Sequence, residues 1–138
     1  MQTFLPSSNF TECASLLDKK RVFKQTVECI QILNCLTGLS AGWQHHPAVK
    51  MWRGHEGCLL DYALCMLDES IRRGIKVSIN TQNKLYNFIE LISADSYSRP
   101  SWLGNNEFHL SHQSNLVRKA PDYYKFDVQN NLEYLWPV

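Results

Sequence analysis

A predicted helix near the N-terminus carries charged and polar side chains that could perform chemistry. Arg21, Lys24, Gln25 and Glu28 are spaced so that they share one helix face, because side chains three and four residues apart are neighbours on a helix. A carboxylate beside Arg and Lys can act as a general acid or base, and the two cations can hold a phosphate. The same pattern is also typical of a solvated helix face with ion pairs along the helix.

A second group of polar residues lies in the segment WQHHPAVKMWRGHEG, residues 43–57. His45 and His46 precede a proline that suits the first position of a helix, where backbone N–H groups favour anions. Lys50 and Arg53 follow within one turn of each other. The segment predicts a phosphate site, with a capping histidine and surface cations as the alternative.

The segment FHLSHQSNLVRK, residues 108–119, offers a third set of donors. His109 and His112 have a spacing that can bind a metal, but no carboxylate or cysteine stands at a fixed spacing to complete a site, so no metal is predicted. The pattern favours donors to a polar ligand, with an exposed helix face as the alternative. The predicted donors are His112, Asn115, Arg118 and Lys119.

The elements that position these groups are predicted to be helices, because apolar residues recur at helical spacing and no segment alternates as a strand does. Gly54 and Gly57 are unusual inside a helix, where each costs ~1 kcal/mol relative to alanine, and close packing or close approach of a ligand would explain them. An aromatic tail is expected to pack back on the domain. The sequence predicts an all-α fold, a compact single domain of about four helices over residues 1–138. The predicted elements are a short turn opened by Asn9 and Glu12, a helix over 19–36 capped by Asp18, a helix over 47–73 capped by His46, a helix from Asn80 or Thr81, and a helix from Asn105 or Asn106 to Lys119.

Composition limits the partners and the compartment. The 14 Lys and Arg residues nearly balance 13 Asp and Glu residues, so the net charge is +1 and any site for nucleic acid must be local. No apolar run reaches the roughly 20 residues that a membrane-spanning helix needs, and the first residues do not resemble a secretion signal. We therefore expect a cytoplasmic protein without membrane contact, whose five cysteines are reduced thiols. No P-loop and no GxGxxG motif is present, and no cofactor is predicted.

Five segments carry a resemblance to a known family. They are MQTFLP, LDKKRVFKQTVECIQIL, HHPAVKMWRGHEGCLLDYALCMLDESIRRG, SHQSNLVRK and the terminal WPV. With these segments in this order, the chain resembles the pyrimidine-dimer DNA glycosylases, whose best-known member is the phage enzyme endonuclease V, and more closely a bacterial and phage branch of that family. The resemblance implies a compact all-α fold and a DNA repair glycosylase that also cleaves abasic sites. Its partner would be damaged duplex DNA, with the target nucleotide opened out of the stack.

The resemblance also implies the residues of the site. In the family an N-terminal α-amine attacks the sugar of a damaged nucleotide and forms a Schiff base, while a Glu on the first long helix manages the protons and Arg residues hold phosphates. Here Gln2 is too bulky for ordinary removal of the initiator, so Met1 would supply the amine. The family's Arg-Glu pair falls on Lys24 and Gln25, and a glutamine cannot exchange a proton. Glu28, one turn further on the same face, would take the catalytic role.

A second interpretation keeps the fold and loses the chemistry. Gln25 and the weak net charge favour an inactive protein that binds a small nucleotide ligand, for example a phage protein that sequesters a nucleotide-derived immune signal. Trp43 or Trp52 would stack on the base. Phosphate and ribose would be held by Arg21, Lys24, His45, His46, Lys50, Arg53, His112, Asn115 and Arg118.

Overall fold

The two longest helices form the centre of the fold in the computed structural model, which describes all 138 residues. Helix α2 spans Lys19–Leu36, helix α4 spans Glu56–Arg72, and these two pack against each other more extensively than any other pair of elements. Apolar side chains at helical spacing are fully buried on both, among them Val22 and Leu33 on α2 and Leu59 on α4. Removal of such surface from water, worth roughly 25 cal/mol per Å², holds the two helices together.

Shorter helices surround this pair. The prediction of an all-α fold is confirmed, since no strand is present. The number of α-helices is six rather than about four, because the predicted first turn is a helix of its own and the predicted helix over residues 47–73 is two helices. The surrounding elements are α1 (Phe10–Leu16), α3 (Pro47–Lys50), α5 (Ile79–Leu91), a 3-10 helix (Ala94–Tyr97) and α6 (Asn106–Lys119).

Gly54 explains why residues 47–73 do not form one helix, whereas Gly57 does not interrupt a helix. Gly54 has a φ of +86°, a left-handed conformation that glycine adopts without strain, and the chain turns there between α3 and α4. Gly57 lies inside α4 and has a different role. A Cβ atom at this position would lie 2.5 Å from the ring of Tyr97, so the 3-10 helix packs directly on the backbone of α4. Close packing is thus the explanation that holds for Gly57.

Polar side chains fix the starts of the helices. Asn9 caps α1 and His46 caps α3, each by accepting a hydrogen bond from a backbone N–H two or three residues later, as predicted. Asp18 occupies the N-cap position of α2 but makes no capping hydrogen bond. Its carboxylate instead accepts a hydrogen bond from the Tyr124 hydroxyl and pairs with Arg21 at 3.3 Å. This contact ties the C-terminal tail to the start of α2.

The aromatic tail packs back on the domain, as predicted, without forming a helix or a strand. The backbone N–H groups of Leu132 and Leu135 donate to the hydroxyls of Ser114 and Ser111 at 3.0 and 3.2 Å. Arg118 donates to two carbonyl oxygens of the same stretch. The tail therefore covers a face of α6 that its polar sequence would leave exposed.

The cysteines and the helix lengths complete the description of the fold. All five cysteines are free thiols, and four of them are buried. Burial raises the pKa of Cys13 to about 12, so this thiol stays protonated and unreactive at neutral pH. None of the helices combines the length and the apolar character that crossing a membrane would require.

Candidate active site

The first residues of the chain enter the core and fix the position of the N-terminus. Thr3 and Leu5 are fully buried. The indole of Trp52 donates to the Thr3 hydroxyl at 3.1 Å, and the backbone N–H of Leu5 donates to Nδ1 of His112 at 3.0 Å. Trp52 is itself fully buried, so it offers no face to a base and the stacking role predicted for it is wrong. These contacts anchor the N-terminal segment and thereby fix the position of Met1.

Gln25 joins this N-terminal segment to α2. Its side chain is fully buried, which contradicts its expected place on a solvated helix face. The amide oxygen accepts from the backbone N–H of Phe4 at 2.9 Å and lies 2.5 Å from the Tyr62 hydroxyl. The amide nitrogen donates to the Gln2 carbonyl at 3.2 Å and to the Glu28 carboxylate at 2.8 Å. The buried amide therefore has partners on both sides, as the cost of burying an unpaired polar group requires, and it positions the segment.

Glu28 lies close enough to the N-terminal amine for the two charges to interact. Burial raises the pKa of this half-buried carboxyl above its ordinary value, and the positive charges of the Met1 amine, Lys24 and Lys119 partly offset the rise. The three ion pairs of the protein do not include this carboxylate, so no cation neutralises it at contact distance. A carboxyl group with a raised pKa accepts a proton more readily than an unperturbed one and can return it during a reaction.

A groove rich in positive charge begins beside Glu28, and we call it the cationic groove. It has a volume of about 170 Å³ and is lined by α2, the N-terminal segment and the end of α6. Arg21 is held by Asp18 at 3.3 Å, whereas the three lysines of the groove form no ion pair. Several cations around one carboxylate fit the phosphate groups of a nucleic acid. The lining residues are Gln2, Phe4, Lys20, Arg21, Lys24, Glu28 and Lys119.

The cationic groove brings together residues that the sequence pattern places in two separate candidate sites. Arg21, Lys24 and Glu28 are together as predicted, since one helix face carries them. Lys20 is missing from the predicted set, although its position four residues before Lys24 is a signal for the same face. Lys119 belongs to a separate predicted group of donors on α6, and its approach to Glu28 depends on tertiary packing that no local pattern reveals.

A second pocket lies toward the C-terminal end of α2, and we call it the neutral pocket. It has a volume of about 390 Å³, and no acidic or basic side chain lines it. Since a helix rises 1.5 Å per residue, Glu28 and Gln31 are only about 4.5 Å apart along the axis of α2. The N-terminus thus lies between a cationic and a neutral recess. The lining residues are Met1, Gln31, Asn34, Cys35, Ser40 and Trp43.

His46 lies in the same region as the N-terminal amine. Its Nδ1 accepts the capping hydrogen bond of α3, and its ring centre is 5.9 Å from that of Trp43 and 6.0 Å from that of Trp136. Burial lowers the pKa of His46, and the positive charge of the Met1 amine lowers it further. The imidazole is therefore uncharged at neutral pH, which favours the capping alternative over a phosphate-binding role.

The other basic residues predicted in the segment 43–57 do not gather around one site. His45 and Lys50 are exposed. Arg53 donates to the backbone carbonyl of Gln44 at 2.9 Å and to its side-chain oxygen at 3.3 Å, so the guanidinium stabilises the loop before α3. None of the three lines the cationic groove or the neutral pocket.

The donors predicted on α6 also separate from one another. His112 is fully buried, and Asn115 has a buried amide nitrogen without a partner. Arg118 is engaged with the tail. His109 uses both ring nitrogens for backbone contacts, at 2.8 and 2.9 Å. Only Lys119 reaches the cationic groove, because the tail and the N-terminal segment cover the rest of that set.

The free energy of unfolding is expected to fall as the pH drops below 6.5, because His112 is buried without charge. Burial lowers the pKa of His112 to about 3, and its Nδ1 accepts the hydrogen bond from Leu5 only in the neutral ring. The unfolded chain binds a proton near pH 6.5 where the folded chain does not, so this stability is complete above 6.5 and is lost as the pH falls. The expected loss is about 2 kcal/mol at pH 5, measured by urea unfolding at pH 7.5 and pH 5.

The matched control for this prediction is His112→Asn. Asparagine retains an acceptor for the Leu5 N–H but does not titrate in this range, so the variant is expected to lose less stability than the wild type between the two pH values. Equal losses in both proteins would show that other groups cause the pH dependence.

Comparison with known proteins bears on these same residues. The sequence model of the family described as pyrimidine dimer DNA glycosylase matches residues 1–83. That range contains the N-terminal segment and both central helices, α2 and α4, whereas α6 and the tail lie beyond it. No curated protein and no solved structure matches the chain. Because more than half of its residues match this one family model, the chain belongs to the pyrimidine dimer DNA glycosylase family.

Proposed function

We propose that the protein excises damaged pyrimidines from DNA and cleaves the resulting abasic site, with the α-amine of Met1 as nucleophile and Glu28 as the acid and base. The observation that carries the proposal is a half-buried carboxylate, Glu28, that is influenced by the charge of the N-terminal amine and that lines a groove with three unpaired lysines. Family membership supports DNA as the substrate. A net charge of +1 fits a short, local contact with the duplex.

The amine would begin the reaction at the sugar of the damaged nucleotide. Neutral Met1 donates its lone pair to C1′, the bond from C1′ to the base breaks, and the base leaves with the electron pair and takes up a proton. The nitrogen then loses a proton, its lone pair forms a double bond to C1′ as the bond from C1′ to the ring oxygen breaks, and the ring oxygen takes up a proton, which gives a protonated imine. Glu28, whose pKa is influenced by the charge of the amine, would take up the proton that the nitrogen loses and return it.

Strand cleavage would follow from the same imine. Removal of a proton from C2′ moves an electron pair toward C3′, and the bond from C3′ to the phosphate oxygen breaks with that phosphate as leaving group. Water then hydrolyses the imine and releases the amine of Met1. The groove cations Lys24 and Lys119 would hold the flanking phosphates, and charge-assisted hydrogen bonds to phosphate are the strong ones.

Borohydride trapping tests the nucleophile. Borohydride reduces an imine to a stable amine, so a duplex with one abasic site is expected to become covalently attached to the purified protein. Peptide mass analysis is expected to place the adduct on Met1. A protein whose N-terminus has been acetylated retains every lysine of the cationic groove, and we expect it to form less than about a tenth of the adduct, since it lacks the nucleophile.

Two results would go against this assignment. An adduct on Lys24 or Lys119 would move the amine chemistry to a groove lysine. The absence of any adduct would contradict the proposed lyase activity. A shift in melting temperature with free nucleotides would then support a nucleotide-binding protein without catalysis.

A further inference from the structure

A third recess lies at the start of α2, and we call it the apolar groove. It has a volume of about 540 Å³, within the range of cavities that hold a small ligand or a few side chains. Three separate parts of the chain form it: the first turns of α2, the connection between α4 and α5, and the turn that follows α6. The lining residues are Asp18, Lys19, Lys20, Phe23, Ile75 and Tyr123.

The apolar side chains of this groove are only partly covered by the rest of the chain. Phe23 and Ile75 are half-buried, and 53% of Tyr123 is exposed. The ring of Tyr123 packs edge-on against that of Tyr124, with 4.9 Å between the ring centres. The Tyr124 hydroxyl is in turn bonded to the Asp18 carboxylate. Because Tyr123 is exposed and yet held in place, it can contact a partner with little loss of conformational freedom.

The rim of the apolar groove carries positive charge that the protein does not neutralise. Its one acidic side chain, Asp18, pairs with Arg21 at 3.3 Å and accepts a hydrogen bond from the Tyr124 hydroxyl. Lys19 and Lys20 are exposed and belong to none of the three ion pairs. The first turn of α2 contains no acidic residue, so the positive end of the helix dipole adds to the charge of the two lysines. The groove therefore favours a ligand with negative charge.

An apolar floor with a cationic rim fits an acidic segment of a protein better than it fits DNA. A segment with several carboxylates and one aromatic or long aliphatic side chain can bring its charges to the lysines and cover the apolar floor. A DNA duplex supplies phosphates, but its bases stay stacked and its backbone offers nothing to cover an apolar surface. The cationic groove differs in this respect, since Phe4 is the one apolar residue among its polar and charged lining.

We propose that the apolar groove binds an acidic segment of another protein. An aromatic or long aliphatic side chain of that segment packs on Phe23, Ile75 and Tyr123. Its carboxylates lie beside Lys19 and Lys20. Binding of this segment involves no atom of the amine chemistry, so it is independent of the proposed function. Since Lys20 lines both the apolar groove and the cationic groove, a partner docked here would lie next to bound DNA and could recruit the protein to it.

Three labelled peptides test the chemistry of the ligand. The first has one phenylalanine after four aspartates in a chain of glycine and serine, the second has serine in place of the phenylalanine, and the third has asparagine in place of the aspartates. Fluorescence anisotropy at low salt is expected to give a dissociation constant below about 100 µM for the first peptide, in the range of small, transient interfaces. Each of the other two is expected to bind at least about 5-fold more weakly, since one loses the apolar contact and the other loses the charge.

Two variants of the chain locate the binding site. Tyr123→Ser removes an exposed ring of the floor, and Lys19→Glu reverses an exposed charge of the rim at a residue outside the cationic groove. Each is expected to weaken binding of the first peptide by at least about 5-fold with little change in melting temperature, whereas Tyr123→Phe keeps the ring and is expected to bind as the wild type does. The matched control is Lys84→Glu, which makes the same charge change at an exposed lysine of α5 that lines none of the three recesses. Its affinity is expected to stay within about 2-fold of the wild type.

Four outcomes would overturn the proposal. One is the absence of binding to the first peptide at a protein concentration of about 500 µM. Another is equal affinity for the first two peptides, because binding would then be attraction between charges alone. Equal losses in Lys19→Glu and Lys84→Glu would lead to the same conclusion. Tighter binding of single-stranded oligothymidylate or of phosphatidylglycerol vesicles than of the first peptide, with the same loss in Tyr123→Ser, would assign the groove to nucleic acid or to a lipid surface instead.

Discussion

Replacement of Glu28 by glutamine is expected to slow cleavage of damaged DNA by about 100- to 10,000-fold while the affinity for DNA stays nearly unchanged. Glutamine has the same shape and can still accept the hydrogen bond from Gln25, but it cannot take up or return a proton. Single-turnover rates with the protein in excess measure the chemical step, and fluorescence anisotropy of a labelled duplex measures the affinity. A Glu28→Gln variant with wild-type turnover would remove this residue from the mechanism.

Lys24→Gln is the matched control for that experiment, because it changes the same helix face without touching the proton-transfer group. It removes one phosphate contact, so the affinity is expected to fall for all sequences and the salt dependence of binding to decrease by about one phosphate. Saturating DNA is expected to recover most of its cleavage rate. The pH profile adds a further distinction. Burial raises the pKa of Glu28, so the acid limb of the wild-type profile is expected at a higher pH than an unperturbed glutamate would give and to be absent in Glu28→Gln.

The helix pattern predicts the part of the site that lies within one element. Arg21, Lys24 and Glu28 share a face of α2, and periodicity places them together without any knowledge of the fold. Lys119 joins them from α6, more than ninety residues further along the chain, and local spacing holds no information about such a contact. The sequence therefore predicts the site residues that lie on α2 but not those that other elements contribute.

Burial of polar residues is the feature that the sequence hides. Gln25 lies among charged neighbours, so the sequence pattern predicts a solvated helix face. In the structure the N-terminal segment covers the side chain and forms hydrogen bonds with its amide. His112 is similar, because the segment and the irregular tail bury a helix face whose residues are polar. Neither covering segment has a periodic pattern. Gln25 and His112 are buried because the two ends of the chain pack back on the helices.

Gly54 and Gly57 also show that a sequence pattern cannot reveal tertiary contacts, in this case for the backbone. Both are unfavourable in a helix, and composition alone treats them alike. Gly54 turns the chain between α3 and α4 through its left-handed conformation, while Gly57 stays helical under the ring of Tyr97. Only the position of the 3-10 helix, which is a tertiary contact, distinguishes a helix break from a site of close packing.

Gln25→Glu is expected to destabilise the protein by about 3 kcal/mol at pH 8, since it places a second carboxylate against Glu28 in a buried position. A carboxylate at position 25 can no longer donate to the Gln2 carbonyl or to Glu28. Its pKa would be raised above the value near 4.3 of an unfolded chain, because burial and a like charge both oppose ionisation. The folded variant then holds a proton that the unfolded chain releases, so stability falls as the pH rises. Urea unfolding at pH 5 and pH 8, each relative to the wild type, measures this trend, and a pH-independent difference would contradict it.

The exchanged pair, Gln25→Glu with Glu28→Gln, separates stability from catalysis. It again places one carboxylate beside one amide, so we expect the free energy of unfolding to return to within about 1 kcal/mol of the wild type, a coupling that double-mutant cycles quantify. Cleavage is expected to stay as slow as in Glu28→Gln, because position 25 is fully buried and its group exchanges no protons with solvent. Restored cleavage would instead show that a carboxylate at position 25, where the family resemblance would place a glutamate, can also transfer the proton.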